Sequence, residues 1–257
     1  YSGRENFLAG LVRAGLSEEG ILQAGRSKES IAGYLELHIE QGKRLERAGI
    51  DIGIVSAIVG YGSYRLSYIG RADHAGSTSM EDRLDAGQGA GAFILAVRET
   101  VIRDFPNCVA NVGRIEFAPG ASNIVPARAD LLLEFRSPDK DQLSKLDGAL
   151  MELANREAGQ FGLKLLAEPL GKHLPNLMST DIQRAFQSSC DGLGLSSTVL
   201  ASGAIHDGQS LVDVCPIGMI FVPSVDGASH APREFTKWED CVNGANVLLQ
   251  AVLKLAT

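Results

Sequence analysis

Between residues 64 and 170 the spacing of apolar positions changes period several times. Residues 64–69 (YRLSYI) alternate loosely, as a half-buried strand does. Residues 82–103 then carry Ala86, Ala90, Phe93, Ile94 and Val97 at helical spacing, and the Ala and Gly on that face predict close packing on a sheet. Two strands are predicted next, over 108–117 (CVANVGRIEF) and 129–135 (ADLLLEF), on either side of a loop holding Pro119, Gly120 and Pro126. Residues 139–161 read as a second helix with Leu143, Leu146, Leu150, Leu153 and Ala154 on one face, and Asp139, just after Pro138, as an acid of its first turn. Gly162 ends that helix, and residues 163–168 read as a fourth strand. The order is β-α-β-β-α-β, the split or ferredoxin-like pattern.

The remaining segments alternate differently. After residue 171 the pattern gives a helix (179–192), a strand (197–201), a strand (218–222) and a last helix (237–255), which reads as α/β. The expected fold class is therefore α/β, with residues 1–62 and 173–257 forming one unit and 63–172 a ferredoxin-like insert. Within the first part, residues 36–42 read ELHIEQG. As a strand, Leu35, Leu37 and Ile39 point to one side and Glu36, His38 and Glu40 to the other. Gly42 would end it and 43–48 start a short helix, although Tyr34, Leu37, His38 and Leu45 are also compatible with a helical period.

Composition narrows the function. A chain of 257 residues makes one large domain or two ordinary ones at roughly 100–200 residues each. Hydrophobic residues make up 45%, a share that builds real cores, and the formal net charge of −7 argues against a nucleic-acid partner. No apolar run approaches the ~20 residues needed to cross a bilayer, and no signal-peptide pattern opens the chain, which begins YSGREN without an initiator Met. Cys108, Cys190, Cys215 and Cys241 form no C-x-x-C pair and fit a reducing cytoplasm.

Five histidines and two polar residues stand out as candidate chemistry. His38 between two carboxylates is either a solvated histidine on an edge strand, the commoner case in isolation, or a metal ligand oriented by those acids. His230 follows an apolar strand in FVPSVDGASHAPRE, where α/β folds place ligands, and reads equally well as a plain loop histidine. His74 sits among small residues in DHAGSTSM, where backbone can approach a ligand or simply turn. His206–Asp207 in ASGAIHDGQ is a weak pair, because sequence neighbours need not face each other, and His173 reads as a linker residue. Arg136 ends a strand and can grip a carboxylate or lie solvated; Asn123 in GASNIVP reads first as a turn residue. The Glu18–Glu19 pair reads as a solvated helix start, and no G-x-S-x-G, Walker loop or dinucleotide fingerprint is present.

Taken in order, ELHIEQG, IGIVSAIVG, DHAGSTSM-x-x-R-x-DA, SNIVP-x-x-x-D-x-x-x-x-x-R, SGAIHD and MIFVPS-x-x-G-x-SH-x-P-x-E resemble the zinc amidohydrolases of the M20 metallopeptidase clan. Within it the chain is similar to N-carbamoyl-L-amino-acid hydrolases and allantoate amidohydrolases, from about residue 34 to the end. The resemblance implies a zinc-binding α/β domain with an inserted lid that also serves for homodimerisation. It implies His38 and His230 as ligands, one for each ion of a two-zinc site that can also take manganese, cobalt or nickel. Gln41, Asn123, Arg136 and His206 would contact substrate, with Arg136 on its carboxylate, and His74 would polarise the scissile carbonyl, in a neighbouring subunit's site. The implied reaction is attack of a metal-held hydroxide on a ureido or amide carbonyl, releasing ammonia and carbon dioxide.

The pattern departs from the family in places. The upstream histidine, bridging aspartate, metal-ligating glutamate and general-base glutamate have no counterpart before His38, so the chain is expected to be the C-terminal portion of such an enzyme and inactive alone. Ser79 stands where the family usually has proline, and Ile205 where SGAGHD has its second glycine. Two other readings compete: a non-catalytic dimerisation or ligand-binding fragment, and an M20 peptidase or aminoacylase. His38 counts against the last, since those relatives usually carry a carboxylate there.

Overall fold

The computed structural model describes residues 3–28 and 30–256; the outer limits of the two expected domain ranges, Tyr1 and Thr257, lie outside the described residues. In chain order the elements are α1 (Gly3–Arg13), α2 (Glu18–Gln23), β1 (Tyr34–Ile39), α3 (Arg44–Ala48), β2 (Ile52–Ile58), β3 (Gly60–Ile69), α4 (Ala86–Asp104), β4 (Val109–Ala118) and β5 (Arg128–Ser137). They continue with α5 (Lys140–Gln160), β6 (Lys164–His173), β7 (Asn176–Leu177), α6 (Thr180–Leu193), β8 (Ser197–Ser202), β9 (Ile217–Val222) and α7 (Trp238–Leu255). The protein is a mixed α/β molecule with two sheets.

The first sheet runs β1-β9-β2, with β8 parallel to β2 and the short β7 antiparallel to it. β1 lies parallel to β9, so His38 is registered against Phe221. Both faces of this sheet are covered. Ile182 and Phe186 of α6 and Val247 and Ala251 of α7 pack on Ile52, Ile54, Ile220 and Val222. Leu45 of α3 joins Val55, Ile58, Leu200, Met219 and Phe221 on the other face. Each fully buried side chain of this kind contributes roughly 1.5–3 kcal/mol. Leu35, Leu37 and Ile39 pack against the first of these clusters, as the alternation of ELHIEQG predicts. The helical alternative for that segment is therefore set aside.

In the second sheet β4, β5, β3 and β6 lie side by side, each antiparallel to its neighbour. Here β5 alternates cleanly: Ala129, Leu131, Leu133 and Phe135 are buried, while Asp130, Leu132, Glu134 and Arg136 are half-buried on the opposite face. The buried set meets Phe93 of α4 and Leu143, Leu146 and Leu150 of α5. The two sheets are joined through Val59, which alone separates β2 from β3. The return strand crosses at the same place, where a Cβ on Gly60 would lie 2.6 Å from the His173 carbonyl.

Several boundaries differ from the sequence reading for identifiable reasons. α4 begins at Ala86 rather than at residue 82, because the Asp85 side chain accepts from the N–H groups of Gly87 and Gln88 and caps it. Asp139 is likewise the cap of α5, accepting from Gln142 N, rather than part of its first turn. β6 runs on past residue 168 to His173, with Leu170 as the extra residue at a register shift between the pairs Tyr64–Pro169 and Ser63–Gly171. His173 is thus a strand residue stacked near Tyr61, with ring centroids 5.1 Å apart, and not a linker. Among the described residues no helix is long and apolar enough to cross a membrane.

Candidate active site

ELHIEQG ends where the loop after β9 folds back over it. Three non-glycine residues have positive φ among those described: Gln41 (56°), Asp226 (57°) and His230 (55°). All three lie at this junction. The left-handed region is costly for residues with a Cβ, and such strain gathers at functional sites. The junction is held by a Gln41 Nε2 to Ser229 Oγ hydrogen bond of 2.9 Å and by Asp226 N donating to Glu46 Oε2 at 2.9 Å. His230 N donates to Glu234 Oε2 at 2.9 Å, which turns SH-x-P-x-E into a closed loop.

His38 is oriented, but not by its flanking acids. Its Nδ1 lies 2.9 Å from the Ile39 carbonyl, so Nδ1 carries the proton and Nε2 keeps its lone pair. Glu40 instead accepts from the N–H groups of Arg44 and Leu45, at 3.0 and 2.9 Å, and starts α3. Glu36 turns to the far side of the chain's numbering, accepting from Gly208 N at 3.0 Å and facing His206 Nδ1 at 3.5 Å. The reading of these carboxylates as orienting partners of His38 is therefore corrected: one caps a helix and the other holds His206.

The His206–Asp207 pair is a weak signal in the sequence, and His206 is held not by Asp207 but by Glu36 and Ser202. Its ring meets that of His38 edge-on, with centroids 4.7 Å apart, and both lean on Phe221. Burial and, next, the neighbouring His38 push its pKa from 6.5 down to about 4, with Asp207 opposing, so the imidazole is neutral at neutral pH. Nδ1 faces the Glu36 carboxylate, and Nε2 shares a hydrogen bond of 2.7 Å with Ser202 Oγ, whose hydroxyl also reaches the Ala204 carbonyl at 3.0 Å. Ser202 Oγ in turn accepts from Ala204 N at 3.1 Å, which fixes the loop from Gly203 to Ile205. Sequence reasoning missed Glu36 and Ser202 as partners, although both stand inside quoted motifs.

Arg136 reaches this loop from the other sheet. Its Nη1 donates to the Gly203 carbonyl at 2.7 Å, while Nε and Nη2 hold Glu134 Oε1 at 2.8 and 2.7 Å. It is therefore not the solvated strand end that its sequence context allowed. His74 and Asn123 form a separate group. His74 bridges to Ile124, Ala75 N donates to the Asn123 carbonyl at 3.0 Å, and His74 Nδ1 accepts from Gly76 N and Ser77 N at 3.0 and 3.2 Å. Those acceptor bonds put the His74 proton on Nε2. No hydrogen bond or ring contact joins this group to His38, His206 or His230 among the described residues.

His38, with Nε2 available, fits a metal ligand taken singly. The full set does not: among the described residues no group of three or more His, Cys, Asp or Glu is placed to hold a metal ion, and a zinc ion takes about four ligands.

Residues 3–254 match the sequence model of peptidase family M20/M25/M40. The chain belongs to that family. It is 38% identical over 244 residues to an N-carbamoyl-L-amino acid amidohydrolase of Geobacillus stearothermophilus, covering 95% of this chain and 59% of that relative. It is 35% identical over 231 residues to the ureidoglycolate hydrolase of Arabidopsis thaliana, covering 89% of this chain and 48% of that one. Among solved structures, a hydantoinase/carbamoylase-family amidase of Burkholderia multivorans superposes with a TM-score of 0.85 at 33% identity, over 95% of this chain and 61% of the other. The chain thus spans roughly half to three fifths of the length of these M20 relatives.

Proposed function

We propose that this M20 chain forms the substrate-holding and carbonyl-polarising part of a metal-dependent amidohydrolase that cleaves a linear ureido or amide C–N bond. The compound class is that of N-carbamoyl-L-amino acids, allantoate and related ureido acids. The observation that carries the reading is the strained junction of Gln41, Asp226 and His230, built around an oriented His38. A chain that only dimerised would have no use for left-handed side chains at the meeting point of two family motifs. In this reading Arg136 binds the substrate carboxylate, Gln41 and Asn123 hold its polar groups, and His206 fixes the loop beneath it. The Nε2–H of His74 donates to the oxygen that becomes an oxyanion, in the site of a partner copy.

Zinc, or another divalent metal, would supply the hydroxide when bound. Within this chain His38 and His230 would be its contacts, and the other donors would have to come from outside the described residues. The chain by itself is accordingly expected to bind zinc weakly and to release no ammonia. Tight stoichiometric zinc in a calorimetric titration, or ammonia from N-carbamoyl-L-methionine or allantoate, would overturn this. Substrate recognition is testable without turnover. N-carbamoyl-L-methionine or allantoate should bind in titration calorimetry and lose about tenfold or more on Arg136→Ala. No binding of either by the unaltered chain would sink the ureido assignment.

The second sheet and its helices, which run from Gly60 to His173 and so extend the expected 63–172 slightly at both ends, are proposed as a ferredoxin-like lid on a catalytic α/β domain made of the residues on either side. The lid also carries the homodimer contact. β4 is an edge strand, and with α4 it borders an apolar groove where Leu95, Ile102 and Val109 stand 73%, 60% and 61% exposed. Such a groove beside an open edge invites a second copy. Ile102→Glu should convert a dimer to a monomer in sedimentation velocity; an unchanged dimer removes this face from the assignment. Four free cysteines, three of them buried, support placing the protein in the cytoplasm.

A further inference from the structure

Glu134 has no role in the reading above, yet it is the principal partner of Arg136. The two residues lie two apart on the same face of β5, a strand flanked on both sides. Ser63 and Asn111 pair with Glu134, and Tyr61 and Val109 with Arg136, so both backbones are fixed. Glu134 Oε1 takes the Nε and Nη2 side of the guanidinium, at 2.8 and 2.7 Å, and the Gly203 carbonyl takes Nη1 at 2.7 Å. A guanidinium has five N–H donors in one plane. These contacts engage three of them and lock the plane, leaving one N–H on each of Nη1 and Nη2. The ion pair is half-exposed, 32% for Arg136 and 46% for Glu134, and pairs of that kind add little to folding. Its consequence is geometric.

We propose that Glu134 is a positioning residue for substrate recognition: it grips one side of Arg136 and leaves the Nη hydrogens for the ligand's carboxylate, so that the two carboxylates share the guanidinium. This rests on the assignment of Arg136 to the substrate carboxylate. The alternative is that Glu134 occupies Arg136 as a competitor and is displaced by ligand. The two differ in sign. A competitor's removal tightens anion binding; a positioning residue's removal loosens it although a negative charge has gone.

The probes are N-carbamoyl-L-methionine and its neutral carboxamide, titrated calorimetrically into the unaltered chain, Glu134→Ala, Glu134→Gln and Arg136→Ala. Glu134→Ala is expected to weaken the acid by about tenfold and to leave the carboxamide alone. Glu134→Gln keeps an acceptor oxygen at the same reach and should restore the acid to within about threefold. Binding of the acid by Glu134→Ala as tight as, or tighter than, by the unaltered chain overturns the proposal. If the unaltered chain holds acid and carboxamide alike, the assignment of Arg136 is what fails. The grip on Arg136 is then read directly from its Nε–H resonance, identified by its loss in Arg136→Ala. Slow exchange with water in the unaltered chain and Glu134→Gln, lost in Glu134→Ala, supports the positioning role. Equal protection in Glu134→Ala overturns it.

Discussion

Gly227→Ala is expected to destabilise the protein by about 2–4 kcal/mol, among the larger effects of a single methyl group. Two causes act together. Gly227 has φ +61°, where an alanine is strained by about 1 kcal/mol. Its new Cβ would also lie 2.6 Å from both the carbonyl carbon and the oxygen of Gly42, a backbone group that no rotamer change can clear. The turn has to lift off ELHIEQG, and the Gln41–Ser229 hydrogen bond across the junction goes with it. Urea unfolding should show a lower midpoint at unchanged slope. Gly91→Ala is the control. It lies inside α4 with nothing within 4 Å of its would-be Cβ, so it should gain about 0.5–1 kcal/mol. Gly227→Ala within 0.5 kcal/mol of the unaltered chain would mean that the close approach of the two motifs constrains nothing.

That close approach is the kind of fact a sequence does not disclose. The second sheet was legible because β5 alternates and α5 repeats its leucines; one face of each is wet, so periodicity survives. β2 has no such alternation to read. Six of its seven residues are buried, on both faces, so IGIVSAI carries no periodic signal and stands out only as a family motif. The site divides in the same way. His38, His230, Arg136 and His74 stand out by residue type and context. Glu36 looked like an orienting acid for His38 because they are two apart on one strand. Its actual partners, His206 and Gly208, are 170 or more positions away and reach it only because the short 3-10 helix Asp207–Leu211 after β8 packs against β1. Charge next to a histidine in sequence was a poor guide; the carbonyl of Ile39 does the orienting.

Ser202→Ala is expected to cost about 2–3 kcal/mol, the price of leaving buried polar groups unpaired. Ser202 is 1% exposed and His206 7%. The hydroxyl lies 2.7 Å from His206 Nε2 and 3.0 Å from the Ala204 carbonyl, and its oxygen accepts the Ala204 N–H at 3.1 Å. Removing Oγ strips His206 and Ala204 of this partner at once, and the buried His206 ring has little water-accessible surface to compensate. The chain Glu36–His206–Ser202–Ala204 therefore acts as a unit, and its last member presents the Gly203 carbonyl to Arg136. Glu36→Gln perturbs the other end. If the unit is real, Ser202→Ala and Glu36→Gln are non-additive by about 1 kcal/mol in a double-mutant cycle, even though their side chains do not touch. Additivity within 0.3 kcal/mol would reduce the relay to two separate hydrogen bonds. The same variant tests the link to recognition. A loosened Gly203 loop gives Arg136 one anchor fewer, so Ser202→Ala should weaken N-carbamoyl-L-methionine and spare its carboxamide. A uniform loss of both ligands would instead place the damage in the α/β core.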